Sequence, residues 1–115
     1  MTIIIYHNPK CSTSRNVLSA LRDAGHDPHI VEYLKTPPTK EELKDIVAKM
    51  DATLKDIVRT KEPIYQELNL DKPGVTDEQL LQAMTEHPVL INRPIVIKGE
   101  TVKLCRPAET VNEIL

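Results

Sequence analysis

Residues 3–6, Ile-Ile-Ile-Tyr, form a short apolar run rich in β-branched side chains that stops at His7-Asn8-Pro9, the pattern of a buried strand closed by turn chemistry. From Ser12 to Ala24 the apolar positions change period. Val17, Leu18, Leu21 and Ala24 recur at helical spacing, and Gly25 supplies a C-terminal stop. Ile30-Val31-Glu32-Tyr33-Leu34 reads as a second strand. Strand, helix and strand within some thirty residues make a βαβ unit, whose two strands run parallel with a right-handed crossover.

Thr36-Pro37-Pro38 breaks the chain, and the middle is then wholly helical. Thr39 with Glu42 is a capping box ahead of Leu43, Ile46, Val47 and Met50. A short helix is expected from Thr53, carrying Leu54, Ile57 and Val58 and leading into Arg59, with weak helical character over 62–68. Asp71-Lys72-Pro73-Gly74 marks a loop. Thr76 with Gln79 caps a helix bearing Leu80, Leu81 and Met84 that ends before Pro88.

The last third returns to strand period. Ile95-Val96-Ile97 and Thr101-Val102-Lys103-Leu104 flank Lys98-Gly99-Glu100, a β-hairpin pattern, and a final helix is expected to start near Pro107 and to carry Val111, Ile114 and Leu115. The predicted order is β-α-β, an all-helical segment, then β-β-α. That order is the split layout of an α/β, thioredoxin-like domain with a mixed four-stranded sheet, spanning 1–115 as one domain with a helical insertion at about 39–88.

Composition narrows the function. Hydrophobic residues make up 40% and charged residues 28% of 115, ordinary globular usage that excludes disorder. The three aromatic residues are all Tyr, so platforms for stacking bases are almost lacking, and 15 Lys plus Arg against 17 Asp plus Glu gives a net charge of -2. Neither a nucleic-acid-binding nor a membrane-binding protein is expected. No apolar stretch approaches the ~20 residues that span a bilayer, and no basic segment precedes an apolar one, so a cytoplasmic protein is expected. His26, His29 and His87 stand singly and fit no metal spacing, so no metal is expected and the three are read as surface residues.

The two cysteines, Cys11 and Cys105, lie far apart without CxxC spacing. Cys11 falls where the first helix begins, where unpaired N–H groups and the helix dipole favour an anion. A free thiol with a pKa of ~8.5 is only about 3% ionised at pH 7, and bringing it to ~6.5 takes ~2.7 kcal/mol. Lys10, His7 and Arg15 are nearby candidate cations. Of the five arginines two stand in Arg-Pro pairs, Arg93-Pro94 before the first hairpin strand and Arg106-Pro107 after the second. Antiparallel pairing puts both at one end of the sheet, and a guanidinium fork suits an oxyanion. Arg59, at the end of the short helix in the insertion, is a third candidate. Cys105 is read as packing, since alternation along a strand turns it away from the face that Arg106 uses.

His7-Asn8-Pro9-Lys10-Cys11-Ser12-Thr13-Ser14-Arg15-Asn16, Glu32-Tyr33-Leu34 with Pro37-Pro38, Ile91-Asn92-Arg93-Pro94-Ile95-Val96 and Leu104-Cys105-Arg106-Pro107 together resemble the glutaredoxin-linked arsenate reductases, essentially end to end. The resemblance implies that Cys11 is the nucleophile and that Arg59, Arg93 and Arg106 form an oxyanion-binding triad. It also implies that His7 helps to hold the thiolate, that Ser14 places a hydroxyl near it, and that Pro94 is the cis-proline of the superfamily.

The implied reaction is attack of the Cys11 thiolate on arsenate, loss of water, and a thiol-arsenate adduct resolved by glutathione and then glutaredoxin to give arsenite. No bound cofactor is implied, glutathione being a co-substrate, and a monomer is expected. Two other readings share the fold. One is a glutathione-dependent thiol oxidoreductase of another substrate, which would not need three arginines. The other is a transcription regulator of the Spx type that binds RNA polymerase, which relies on a CxxC pair where this chain has Ser14.

Overall fold

The computed structural model describes residues 2–50 and 52–115. The chain divides into two compact units, one built from its two ends, up to Thr36 and from Arg93 to Leu115, the other from Pro37–Asn92.

In the first unit the strands are β1 (Ile3–Tyr6), β2 (His29–Val31), β3 (Ile95–Lys98) and β4 (Thr101–Leu104), ordered β2-β1-β3-β4. β1 and β2 are parallel, with Ile5 opposite Ile30; β1 and β3 are antiparallel, with Ile5 opposite Val96; β3 and β4 are antiparallel, with Ile95 opposite Leu104. This is the expected mixed thioredoxin-like sheet. The hairpin closes through Gly99-Glu100, and Gly99 at φ 62 supplies the left-handed residue that a two-residue loop demands.

Helix α1 (Ser12–Asp23) buries Val17, Leu18 and Leu21 on one stripe. They pack with Ile3, Ile5 and Val96 of the sheet and with Cys105, Val111 and Ile114 from the chain's end. Burying side chains such as Leu21 or Ile5 fully is worth about 1.5–3 kcal/mol each, which fixes α1 against β1 and so fixes the loop between them. The helix stops as expected: Gly25 takes φ 88, its N–H reaches Arg22 O at 2.9 Å, and the His26 N–H reaches Leu21 O at 3.0 Å.

Two expectations are corrected. The second strand ends at Val31, because the Lys35 and Thr36 N–H groups turn back to Glu32 O at 2.9 and 3.0 Å; Tyr33 and Leu34 belong to that turn. The final helix is not an α-helix but a 3₁₀ segment, Ala108–Glu113, with Pro107 as its N-cap. Arg93-Pro94 is cis, as the resemblance implied, and so is Arg106-Pro107.

The second unit holds α2 (Lys40–Met50), α3 (Pro63–Glu67) and α4 (Asp77–Glu86), with 3₁₀ turns at Leu54–Ile57 and Pro88–Leu90. The Thr39 and Thr76 capping boxes are both made. The Glu42 N–H donates to Thr39 Oγ1 at 3.1 Å while Thr39 donates back to Glu42 Oε1 at 3.0 Å, and the Thr76–Gln79 pair does the same. Lys40 on α2 pairs with Glu78 on α4 at 2.7 Å. Among the described residues no helix is long and apolar enough to cross a membrane, and no group of three metal-ligating side chains exists.

Candidate active site

The chain leaves β1 at Tyr6 and enters α1 at Ser12 through five residues, His7 to Cys11. Asn8-Pro9-Lys10-Cys11 is a β-turn, with the Cys11 N–H donating to Asn8 O at 3.0 Å, and Asn and Pro occupy its first two positions, where both are favoured. Cys11 is the N-cap of α1 with extended backbone, φ -94 and ψ 121, and no acidic residue stands in the first turn. Cys11 therefore stands at the helix N-terminus, where unpaired N–H groups and the helix dipole favour an anion.

Burial alone would raise the Cys11 pKa, but it is outweighed. The Ser14 backbone N–H, then the guanidinium groups of Arg93 and Arg106, favour the thiolate and bring the thiol down from 9.0 to about 7. Arg106 Nη1 lies 3.8 Å from Cys11 Sγ and donates at 3.0 Å to Arg93 O, so the backbone of one arginine orients the side chain of the other. Half of the thiol is then ionised near neutral pH, against about 1% for a thiol at 9.

The candidate cations adjacent in sequence do not act as expected. Burial lowers the His7 pKa, more than Glu32 restores it, which disfavours a charged imidazole there. Arg15 turns its Nη1 to Pro9 O at 3.0 Å, and Lys10 is exposed. The cations at the sulfur come from the two Arg-Pro pairs across the sheet end. His7 meets Ser14 instead, Nδ1 to Oγ at 2.6 Å, and Ser14 is fully buried. The Asn8 N–H donates to the same Oγ at 3.1 Å, so Ser14 joins the loop and His7 in one buried hydrogen-bond cluster.

Arg59 belongs to the second unit. Its backbone is fixed by the Val58–Ile91 bridge and by its N–H to Leu90 O at 2.7 Å, and its Nε pairs with Glu62 Oε1 at 2.9 Å. Cys105 is fully buried, its N–H on Pro94 O at 2.9 Å and its thiol pushed up to about 11 by burial. It packs as expected, although β4 has already ended at Leu104, so strand alternation is not the reason. Of the three lone histidines, His29 is exposed, whereas His26 and His87 are half-buried.

Asn8 was not singled out from the sequence. It is buried, and it bonds to Lys10 and Cys11 of the loop and to Ser14 of the helix. The Asn-Pro dipeptide was the signal.

A low-pKa thiol between two guanidinium groups at a helix N-terminus can attack an electrophilic centre that carries negative oxygens. The chain is similar to known proteins over nearly its whole length. The ArsC family model matches residues 6–114. An arsenate reductase of Rhizobium meliloti (strain 1021) is 50% identical over 115 residues, all of this chain and 82% of that protein. One from Escherichia coli (strain K12) is 47% identical over 113 residues, 98% of this chain and 80% of that protein. The solved structure of an arsenate reductase from Vibrio cholerae superposes with a TM-score of 0.96 at 44% identity, covering 100% of this chain and 98% of that one.

Proposed function

The chain belongs to the ArsC family, and on that premise we propose that it reduces arsenate to arsenite through Cys11, with glutathione and a glutaredoxin supplying the electrons. The observation that carries this reading is the Cys11 thiol, lowered to about 7 beside Arg93 and Arg106. Two arginines offset the repulsion between a thiolate and an arsenate oxyanion, and Arg59, which matches the family's third arginine, is assigned the same task.

The thiolate forms an S–As bond while one arsenate oxygen leaves, protonated, as water. Arsenic remains As(V) in this adduct. Two electrons then come from thiols: glutathione displaces a second arsenic-bound oxygen as water and forms an As–S bond, the glutaredoxin thiolate attacks that glutathionyl sulfur and leaves the As–S electron pair on arsenic as As(III), and water then takes the place of Cys11 on arsenic, releasing arsenite and the Cys11 thiol. In the balance two thiols become one disulfide. An external thiol is required because Cys105 is buried in the core with its pKa at about 11, a poor attacking group. His7 and Ser14 are assigned to the support of Cys11, their side chains bonded to each other at 2.6 Å. No bound cofactor is invoked.

Arsenite formation by the purified protein with glutathione and glutaredoxin, beside Cys11→Ser, tests the reading. Arsenite is expected from the wild type and none from the variant. Folded wild-type protein that becomes glutathionylated at Cys11 but makes no arsenite would overturn it in favour of a glutathione-linked oxidoreductase of another substrate.

A further inference from the structure

We propose that Asn8 is a positioning residue for Cys11, closing the 8–11 turn with its side chain and tying that turn to α1 so that the sulfur is held against the helix N-terminus. The inference deepens the reading above, since it rests on Cys11 being the reactive thiol.

Three bonds carry it, each from a different group of one residue. Asn8 Oδ1 accepts the Lys10 N–H at 3.0 Å, Asn8 O accepts the Cys11 N–H at 3.0 Å, and the Asn8 N–H donates to Ser14 Oγ at 3.1 Å. The first two fold the loop on itself, and the third joins the loop's start to the third residue of α1. The side-chain bond is an Asx turn, a geometry that Asn, Asp and more weakly Ser can make. Asn8 is only 8% exposed, so water is a poor substitute for Oδ1.

The Cys11 carbonyl is held on the helix side by the Arg15 N–H at 3.0 Å, whereas on the loop side Cys11 follows Lys10, which is exposed, and the helix has no acidic first-turn residue to share its N-terminal N–H groups. Without the Lys10 bond the turn can open, and Sγ drifts from the Ser14 N–H and from the Arg106 Nη1 that stands at 3.8 Å. Asn8 never touches the reacting atoms. It sets how much of Cys11 is ionised.

The test is the pH titration of the Cys11 thiolate absorbance near 240 nm, with alkylation rates by iodoacetamide, for wild type and for Asn8→Ala, Asn8→Gln and Asn8→Ser. Gln keeps the amide but is one methylene too long for the same ring, so Ala and Gln should each raise the midpoint by about half a pH unit and slow alkylation near pH 6 about twofold. Ser, whose hydroxyl can take the Lys10 N–H, should recover at least half of that shift. Midpoints for Ala and Gln that superpose on wild type overturn the proposal. So does an equal shift in all three, or a fall in melting temperature with no shift. Because arsenate takes no part in this titration, loss of the arsenate reading through absent arsenite formation leaves the result interpretable.

Discussion

Replacing Arg106 by Ala removes a guanidinium 3.8 Å from Cys11 Sγ. Arg106 is exposed, so the water-screened limit applies, and the attraction lost is about 1 kcal/mol, or about 0.8 pH units. The thiol should therefore rise from about 7 to roughly 7.8. Reactivity follows the thiolate fraction and also the intrinsic nucleophilicity, which grows with pKa at a Brønsted slope of ~0.45, so the variant's thiolate should be about twofold more reactive once fully formed. The two effects oppose each other. Alkylation of Cys11 by iodoacetamide, followed by peptide mass spectrometry from about pH 5.5 to 9.5, should be about threefold slower for Arg106→Ala at the acid end and about twofold faster at the alkaline end, with the curves crossing near pH 7.5. Arg106→Lys, which returns a cation without the fork, should lie between the two. A variant profile with an unmoved midpoint, or one lowered in parallel at every pH, would refute the electrostatic account.

Two further outcomes are expected. Cys105→Ala should lower stability by about 1 kcal/mol in urea unfolding, through lost core contacts, yet still form arsenite; loss of turnover at unchanged stability would instead make Cys105 a participant. Thr76→Ala breaks the capping box of α4 and should cost about 1 kcal/mol, read as a lower urea midpoint, and an unchanged midpoint would mean that the box contributes nothing.

The elements with a strong period and a clear end signal were legible from the sequence. Helix α1, with its apolar stripe and Gly25, and the hairpin around Gly99 match their expected ranges closely. The second strand was read too long, because Tyr33 and Leu34 carry strand-like side chains while the backbone N–H groups after them bond back to Glu32. Local hydrogen bonds of that kind override propensity. Thr53 with Asp56 was missed as a cap since the capping-box pattern looks for Glu or Gln, yet the Thr53 N–H donates to Asp56 Oδ2 at 2.8 Å.

At the site, the position of Cys11 and the convergence of Arg93 and Arg106 followed from a helix start and an antiparallel hairpin. The neighbours Lys10 and Arg15 misled, because closeness along the chain says little about where a long side chain turns. Asn8 and the His7–Ser14 bond were hidden for a related reason: they depend on how a five-residue loop closes, which no periodicity reports.

The sulfur at the N-cap of α1 has a second consequence, for departure instead of attack. In thiol exchange the sulfur that leaves fastest is the one most stable as an anion. Cys11, with the Ser14 N–H and two guanidinium groups waiting for its charge, is such a leaving group. A disulfide that Cys11 makes is thus labile toward an incoming thiol, which releases Cys11 in preference to a partner of ordinary pKa. The geometry that makes this thiol quick to react also keeps it from being trapped in what it forms.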